Sequence, residues 1–463
     1  MKLSTEEDVK ARAQTLLSTR AVDMVRLERI RMYLTDPDPS MARRTSAWNR
    51  IGPLRWLPKA TPPEVRRLAE IARVNLMKFV VNAVVQDMYI DGFRVPLSGD
   101  DEPTWEIWQR NRMDARQIGT HRSALCYGTT YVTVLPGDPV PVIRGASPRR
   151  MTTLYADADD DWPALALERR GITADARKRR VYRLMDDENV WWLEANDTLA
   201  NDVTVDSSEE HGVGHVPVVR FRNTLDDDGG DVEGEVEPLI PLQDQINITT
   251  FGLLVAQHYG AFRQRYILGW LADSEQQALE ASARKLWTFE DPETKVGEFG
   301  QTDLKGYLDS REATLRHLAT ISQTPAHEMI GALINLSAEA LAAADASHRR
   351  KVSERQVVMG EAWEQVLELA GKLNGTPTDP AAYVRWRDTE SRSLSQVADA
   401  LGKLTTMLGV PPKELWERIP NVSQQEVERW RAAAAEGDAF AQLATALNRQ
   451  AGPPEAPPTP AGQ

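Results

Sequence analysis

Carboxylates carry most of the chemical capacity in this sequence. Asp157, Asp159, Asp160 and Asp161 form one group, and Asp226, Asp227, Asp228 and Asp231 form another. Oxygen ligands clustered in this way suit a hard cation. Neither group completes the spacing of an EF-hand calcium loop, with its glycine at the turn and a distal glutamate. Solvated acidic loops are the simpler reading, and an acidic, metal-dependent α+β enzyme stands as an alternative. His327-Glu328 lacks the second histidine one helical turn later that a zinc-protease helix requires, and the 7 histidines are scattered. The single cysteine, Cys126, lies between Leu125 and Tyr127 in an apolar stretch, where a thiol packs as a small hydrophobe. There is no glycine-rich phosphate loop ahead of Lys-Ser or Lys-Thr, no G-x-G-x-x-G turn and no G-x-S-x-G elbow, the devices that hold nucleotides or present a serine nucleophile. The residues therefore offer no catalytic set, no metal site and no cofactor site.

Two basic runs are the next candidates. Arg177-Lys178-Arg179-Arg180 opens a strand beside an acidic hairpin turn, a setting for salt links at a solvated edge or between subunits. His348, Arg349, Arg350 and Lys351 cover most of one turn of a long helix, so some of them face a neighbouring subunit if such helices stand side by side. The chain as a whole is acidic, with a formal charge of −13. Tight phosphate binding depends on Lys and Arg displacing counterions, which argues against a DNA-coating protein. A channel that lets DNA slide past weak contacts is compatible with this charge, as is no nucleic-acid role at all.

These residues belong to a chain of 463, long enough for two or more structural regions. Hydrophobic residues at 41% and charged residues at 27% describe a folded, globular protein. One cysteine excludes an intrachain disulfide framework and fits synthesis in a reducing compartment. The start, MKLSTEEDVKARAQTLL, carries acid where a signal peptide would be positive, and the apolar runs fall short of a membrane span. A soluble protein that is not exported is expected.

Periodicity supplies the elements. Ser4 and Glu7 stand at capping-box spacing ahead of Val9, Ala13, Leu16, Leu17 and Met24, an amphipathic helix. Helix resumes at Glu64 after a proline-broken stretch, with Val65, Leu68, Ala72, Phe79, Val80, Ala83 and Val84 on one face, and Asp91-Gly92 reads as its terminating turn. Shorter helices are expected around Trp105–Trp108 and Ala115–Tyr127. The period then changes to two. Strands are expected at Thr129–Leu135, Met151–Tyr155, Ala164–Arg169, Arg179–Met185, Val190–Glu194 and Val216–Arg222, with a hairpin at Asp186-Asp187-Glu188-Asn189.

The stretch 226–237 carries seven acidic residues and no basic one, and reads as a solvated linker marking the main boundary. Beyond it lie a helix at Leu239–His258, strand and turn character at Arg263–Phe299, and a helix from Asp303 with Leu304, Leu308, Leu315 and Leu318 in one stripe. Pro325 stops that helix. After a non-helical interval a helix of about 55 Å follows at Ser337–Leu373, ended by Asn374-Gly375. Shorter helices are expected at Leu394–Leu408, Pro412–Arg418 and Ser423–Asn448, and a Pro-rich, disordered tail after that. The fold class is α+β, mostly α.

Asn335-Leu336-Ser337-Ala338-Glu339-Ala340-Leu341, the later Gly360-Glu361-Ala362-Trp363 and the upstream Pro325-Ala326-His327-Glu328-Met329-Ile330-Gly331 resemble, in residues and in order, the phage portal proteins typified by the portal of a Bacillus siphophage and common in actinobacterial phages. Leu242–Asn247, Ala261-Phe262-Arg263-Gln264-Arg265 with Gly269, and Trp386-Arg387-Asp388 fit the same order. The sequence departs from the pattern at Gly234-Glu235-Val236-Glu237 and at Arg263, where relatives often carry a proline.

The resemblance implies a portal fold and a non-enzymatic ring, usually of twelve subunits, at one capsid vertex of the virion, assembled from chains made in the host bacterial cytoplasm. Residues 1–236 would be the wing, 237–259 and 302–321 the stem helices, and 260–301 the clip. Residues 322–336 would be the tunnel loop, 337–387 the long helix joining wing to channel, 388–450 the crown, and 451–463 the tail. Gln323, Thr324, His327, Glu328 and Asn335 would then be close to DNA. Arg263, Gln264, Arg265, Tyr266, Trp270, Lys285 and Trp287 would face the motor and adaptor, and Arg349, Arg350 and Lys351 a neighbouring subunit. The implied partners are double-stranded DNA, the terminase large subunit, the major capsid protein, scaffolding protein and a head-completion adaptor, with no membrane and no cofactor. A helical oligomeric scaffold without a DNA role is the other alternative. On composition alone, Thr324-Pro325 and Gly331 bracket a breaker-rich interval between two strong helices, which suits a movable loop at a constriction as well as a plain helix-to-helix connection.

Overall fold

Thr5 opens the first helix: its backbone is extended and its hydroxyl accepts from the Asp8 amide at 3.2 Å. The cap thus falls one residue after the expected Ser4, with Glu6, Glu7 and Asp8 filling the first turn, where the helix dipole favours negative charge. The computed structural model describes residues 1–35, 53–58, 60–95, 99–100, 102–157, 160–174, 179–196, 199–226, 232–260, 265–268, 295–298, 304–331, 338–387, 394–419, 422, 426–427 and 429–436. Its helices in chain order are α1 (Glu6–Leu34), α2 (Pro63–Ile71), α3 (Leu76–Gln86), α4 (Glu102–Arg110), α5 (Met113–Tyr127), α6 (Ile240–Gly260), α7 (Lys305–Ser322), α8 (Ala326–Ile330), α9 (Ala338–Leu373), α10 (Leu394–Leu408) and α11 (Pro412–Leu415). Its strands are β1 (Ile90–Val95), β2 (Gly99–Asp100), β3 (Thr129–Leu135), β4 (Val142–Ala146), β5 (Met151–Leu154), β6 (Leu165–Ile172), β7 (Arg180–Met185), β8 (Asn189–Asn196), β9 (Leu199–Glu210), β10 (Val218–Arg222), β11 (Arg265–Leu268), β12 (Lys295–Glu298) and β13 (Tyr383–Trp386). Mixed helix and sheet is the class expected.

The chain forms two units. The first comprises 1–85, 119–133 and 144–359, the second 86–118, 134–143 and 360–463. In the first, β5 to β9 make an antiparallel meander in sequence order. Alternation places Leu165, Leu167, Tyr182, Leu184, Leu193, Ala195 and Val203 on one face, and α1 covers it with Val9, Ala13 and Leu16. The expected hairpin forms, with Met185 opposite Val190. Asp186 organises its turn: the carboxylate accepts from the amides of Glu188 at 2.9 Å and Asn189 at 2.6 Å, and from Trp191 Nε1 at 3.0 Å. Glu168 is buried and answered by three guanidinium groups, Arg183 at 2.6 Å, Arg170 at 3.0 Å and Arg150 at 3.2 Å.

In the second unit β1 pairs antiparallel with both β13 and β2. Trp363 is fully buried edge-on to Trp108, with ring centroids 5.0 Å apart. The Arg385 guanidinium meets Asp91 at 2.9 Å across the sheet.

Several expectations are corrected. Asp91-Gly92 does not end a helix but lies within β1, where a register shift between Ile90 and Gly92 absorbs it. The helix expected from Glu64 is two, α2 and α3, because side chains from α6 serve the break: Asn247 accepts from the Val74 amide at 3.2 Å and Gln243 from the Leu76 amide at 3.1 Å. Strands β1, β4, β9 and β13 were not legible as alternating runs. Residues 232–237 are no solvated linker, since Val236 is fully buried and both flanking stretches belong to the first unit. The non-helical interval before the long helix contains α8. The long helix itself begins at Ala338 and is closed by Gly375 at φ +75°, as Asn374-Gly375 predicts. Residues 437–463, with the tail, lie outside the described residues, as do Ser423 and most of the last expected helix.

Candidate functional site

Helices α6 and α7 pack on each other with Gly252 against the Tyr307 ring, where a Cβ would stand only 2.9 Å away. Their inner residues Ile246, Leu315, Leu318 and Ala319 are buried. The expected stripe divides, however: Leu308 is 53% exposed, and Tyr307, Ile248 and Ile321 are exposed as well.

Buried polar groups fix the start of α6. The Asp244 carboxylate accepts from the Tyr33 hydroxyl at 2.6 Å and pairs with Arg55 at 2.6 Å. Burial pushes both the Tyr33 and Asp244 pKa values up. Glu237, just ahead of the helix, holds Arg26 at 2.7 Å. Asp244, Gln243 and Asn247, polar positions in an otherwise apolar helix, are thus anchors to α1, to the stretch around Arg55, and to the α2–α3 break.

The segment entering α6 is threaded tightly. Gly128, at φ +86°, lies so close to the Val232 carbonyl that a Cβ would be 1.8 Å from its oxygen. Gly234 crowds the Cys126 carbonyl in the same way, at 2.5 Å. The Glu235 amide donates to the Leu125 carbonyl at 2.7 Å, and the Asn223 amide side chain donates to the Glu233 carbonyl at 3.0 Å. This geometry presents the Glu235 carboxylate to α9.

There the carboxylate meets Lys351 Nζ in direct contact and Arg355 at 3.2 Å, one helical turn further on, while Asn223 donates to it at 3.2 Å. Lys351 Nζ also donates to the carbonyl of Ser322, the last residue of α7, at 2.8 Å. Burial alone would raise the Glu235 pKa, but Lys351 and Arg355 outweigh it and hold the carboxyl below its usual range. Burial lowers the Lys351 pKa, and Arg355 acts in the same direction against the attraction of Glu235. Two cations answering one anion account for the direction at Glu235, and burial for the direction at Lys351.

Past Ser322 the chain turns through Gln323 in the left-handed region at φ +52°. Gln323 and Glu328 are exposed. Thr324 is buried, its hydroxyl accepting from Ser322 Oγ at 3.0 Å. His327, on α8, has Nε2 4.0 Å from the Asp345 carboxylate on α9. Arg349 and Arg350 are exposed on α9. Lys351 points inward and is 4% exposed within this chain. The physical reason is periodicity: a residue 100° around the helix from an exposed neighbour reaches the interior. Arg265 and Tyr266 lie on β11, opposite Glu298 and Gly297 of β12. Asn335, Arg263, Gln264, Trp270, Lys285 and Trp287 lie outside the described residues.

Sequence reading missed Glu235, Arg355, Asp244, Tyr33 and Arg55. The spacing of Lys351 and Arg355, one turn apart, was the only local signal. Arg179 uses its guanidinium within the chain, donating to the carbonyls of Glu194 at 3.1 Å and Asp202 at 2.8 Å. Cys126 is buried, and burial pushes its thiol up to about 12. Among the described residues no group of three or more His, Cys, Asp or Glu is placed to hold a metal ion, and no helix is long and apolar enough to cross a membrane.

The chain resembles known proteins over most of its length. The portal protein of Mycobacterium phage D29 is 27% identical over 394 residues, 78% of this chain and 79% of its own. The portal protein of Mycobacterium phage L5 is 26% identical over 404 residues, 80% of each. A chain in the neck of an empty GTA particle, computed with C6 symmetry, superposes with a TM-score of 0.48 at 13% identity, covering 80% of this chain and 93% of that one. The last likeness is too distant to carry an argument. The family model described as "Phage portal protein, SPP1 Gp6-like" matches residues 54–439. A match this long, spanning both units and the Glu235–Lys351 junction, means that the chain belongs to the SPP1 Gp6-like family of phage portal proteins.

Proposed function

We propose that copies of this chain close into a ring, twelve in number, whose channel passes double-stranded DNA during packaging and ejection, with α6 and α7 as stem helices lining it. One observation carries the reading. The packed α6–α7 pair keeps Ile248, Tyr307, Leu308 and Ile321 exposed, apolar surface that neighbouring copies would cover. The same ring would place β11 and β12 in a clip facing the terminase motor and later a head-completion adaptor, with Arg265 and Tyr266 there. It would place Gln323, His327 and Glu328 at the channel constriction, and Arg349 and Arg350 against a neighbouring long helix. Residues 1–236 would be the wing, and α10 and α11 would belong to the crown inside the capsid. The ring would also meet scaffolding protein and the major capsid protein at the vertex. The role is structural, without chemistry of its own.

Negative-stain images and native mass spectra of the purified full-length chain test the proposal. Closed rings with a central channel are expected. A monomer at every concentration would overturn it, and a concentration-dependent oligomer without a channel would favour a plain scaffold.

A further inference from the structure

Three elements that are far apart in sequence meet at one buried cluster. Glu235 stands ahead of α6, Ser322 ends α7, and Lys351 and Arg355 lie one turn apart in α9. A helix end leaves its last carbonyls without intrahelical partners. At α7 the Ser322 carbonyl is answered by the Lys351 ammonium at 2.8 Å, while Gln323 and Thr324 turn back to donate to Thr320 and Ala319 at 3.3 and 3.0 Å. The chain then leaves in the left-handed conformation of Gln323 and enters α8, which returns to α9 at His327 and Asp345.

We infer that Lys351 is a positioning residue: paired with Glu235 on one side and bonded to the Ser322 carbonyl on the other, it sets the direction in which Gln323–Gly331 leaves α7. Two features separate this from a salt bridge that only adds stability. The ammonium is shared between an anion and a backbone carbonyl, so losing it frees a helix terminus as well as a charge. The carboxylate also retains Arg355, so the charge at Glu235 stays answered when Lys351 is removed. Glu235 therefore acts on the Gln323–Gly331 segment through Lys351. For its consequence in DNA passage the inference rests on the proposed channel reading; the positioning itself does not.

Hydrogen exchange on the full-length chain tests it, in the wild type, Glu235→Gln, Lys351→Met and the double variant. The amides of Thr324, Met329 and Gly331, each bonded within or next to the segment, are the reporters, and those of the β6–β7 ladder are the control. Lys351→Met is expected to accelerate exchange over 323–331 about tenfold or more, with the control unchanged. Glu235→Gln is expected to accelerate it several-fold on its own and to add nothing in the Lys351→Met background. Unchanged exchange over 323–331 in either folded single variant, equal acceleration in the control ladder, or additive effects in the double variant would each overturn the inference. Should Lys351→Met fail to fold, Glu235→Gln alone decides: selective acceleration over 323–331 supports it and none overturns it. Faster exchange in a variant whose rings still package and retain DNA as the wild type does would leave the positioning intact and remove the channel reading of this segment.

Discussion

Lys351 Nζ donates to the Ser322 carbonyl at 2.8 Å, tying the middle of a 36-residue helix to the last residue of α7. Both partners are buried, and the same ammonium contacts Glu235. Removing one member of a buried ion pair leaves the other charge poorly answered, a loss of about 3–5 kcal/mol. Because Arg355 still pairs with Glu235, Lys351→Ala is expected near the low end, about 3 kcal/mol, read as a lower midpoint in a urea titration.

The same cluster predicts acid sensitivity. The folded-state pKa of Glu235 lies below its ordinary 4.5. A carboxyl depressed by folding stabilises the native state above its unfolded value and loses that contribution as pH falls through the folded one. Wild-type stability should therefore decline below about pH 4.5. Glu235→Gln should be less stable at neutral pH and show a shallower decline. Urea midpoints measured from pH 7 down to pH 3 compare the two, and parallel slopes would count against the assignment.

Gly128 and Gly212 both have positive φ, but a Cβ at Gly128 would meet the Val232 carbonyl oxygen at 1.8 Å, whereas at Gly212 it would meet nothing within 4 Å. Gly212→Ala is expected to cost about 1 kcal/mol, from backbone strain alone. Gly128→Ala adds a backbone clash and is expected to cost about 3 kcal/mol or more. The difference in thermal midpoint between the two variants measures the close approach directly.

Trp363 and Trp108 form the aromatic centre of the second unit. Trp363→Ala should cost about 3–5 kcal/mol through the cavity it leaves and should remove the near-ultraviolet dichroism of the edge-on pair. Hydrogen exchange in the β6–β8 ladders of the first unit is the comparison; protection there should fall less than around β1 and β13.

Cys126 is the only cysteine and is buried, its thiol pushed up to about 12 from an ordinary 9.0. A thiol reagent at neutral pH is expected to leave the native chain unlabelled and to label it fully in denaturant. Linkage runs the opposite way to Glu235. An acid whose pKa is raised by folding keeps its proton in the native state, so this group lowers stability as pH rises above about 9. Cys126→Ser should weaken that alkaline decline.

Local pattern determined much of this protein. The meander β5 to β8, its Asp186 turn, α5, α9 with its glycine stop, and the order of elements that resembles a portal were all legible, because alternation, helical period and turn chemistry are properties of neighbours in sequence. Cys126 was legible as a packing residue for the same reason. The tertiary structure alone decided what depends on partners distant in sequence. Residues 232–237 read as a solvated acidic linker, yet Glu235 is drawn inside by Lys351 and Arg355, more than a hundred residues later. The break between α2 and α3 exists because Gln243 and Asn247 reach it from α6. Lys351 sits in a run of polar residues that looks uniformly exposed, and only the packing of α9 on Ser322 and Glu235 separates it from Arg349 and Arg350. Charge and hydropathy give the preference of a side chain for water; whether that preference is overruled depends on whether the fold brings a counter-charge and hydrogen-bond partners to the same point.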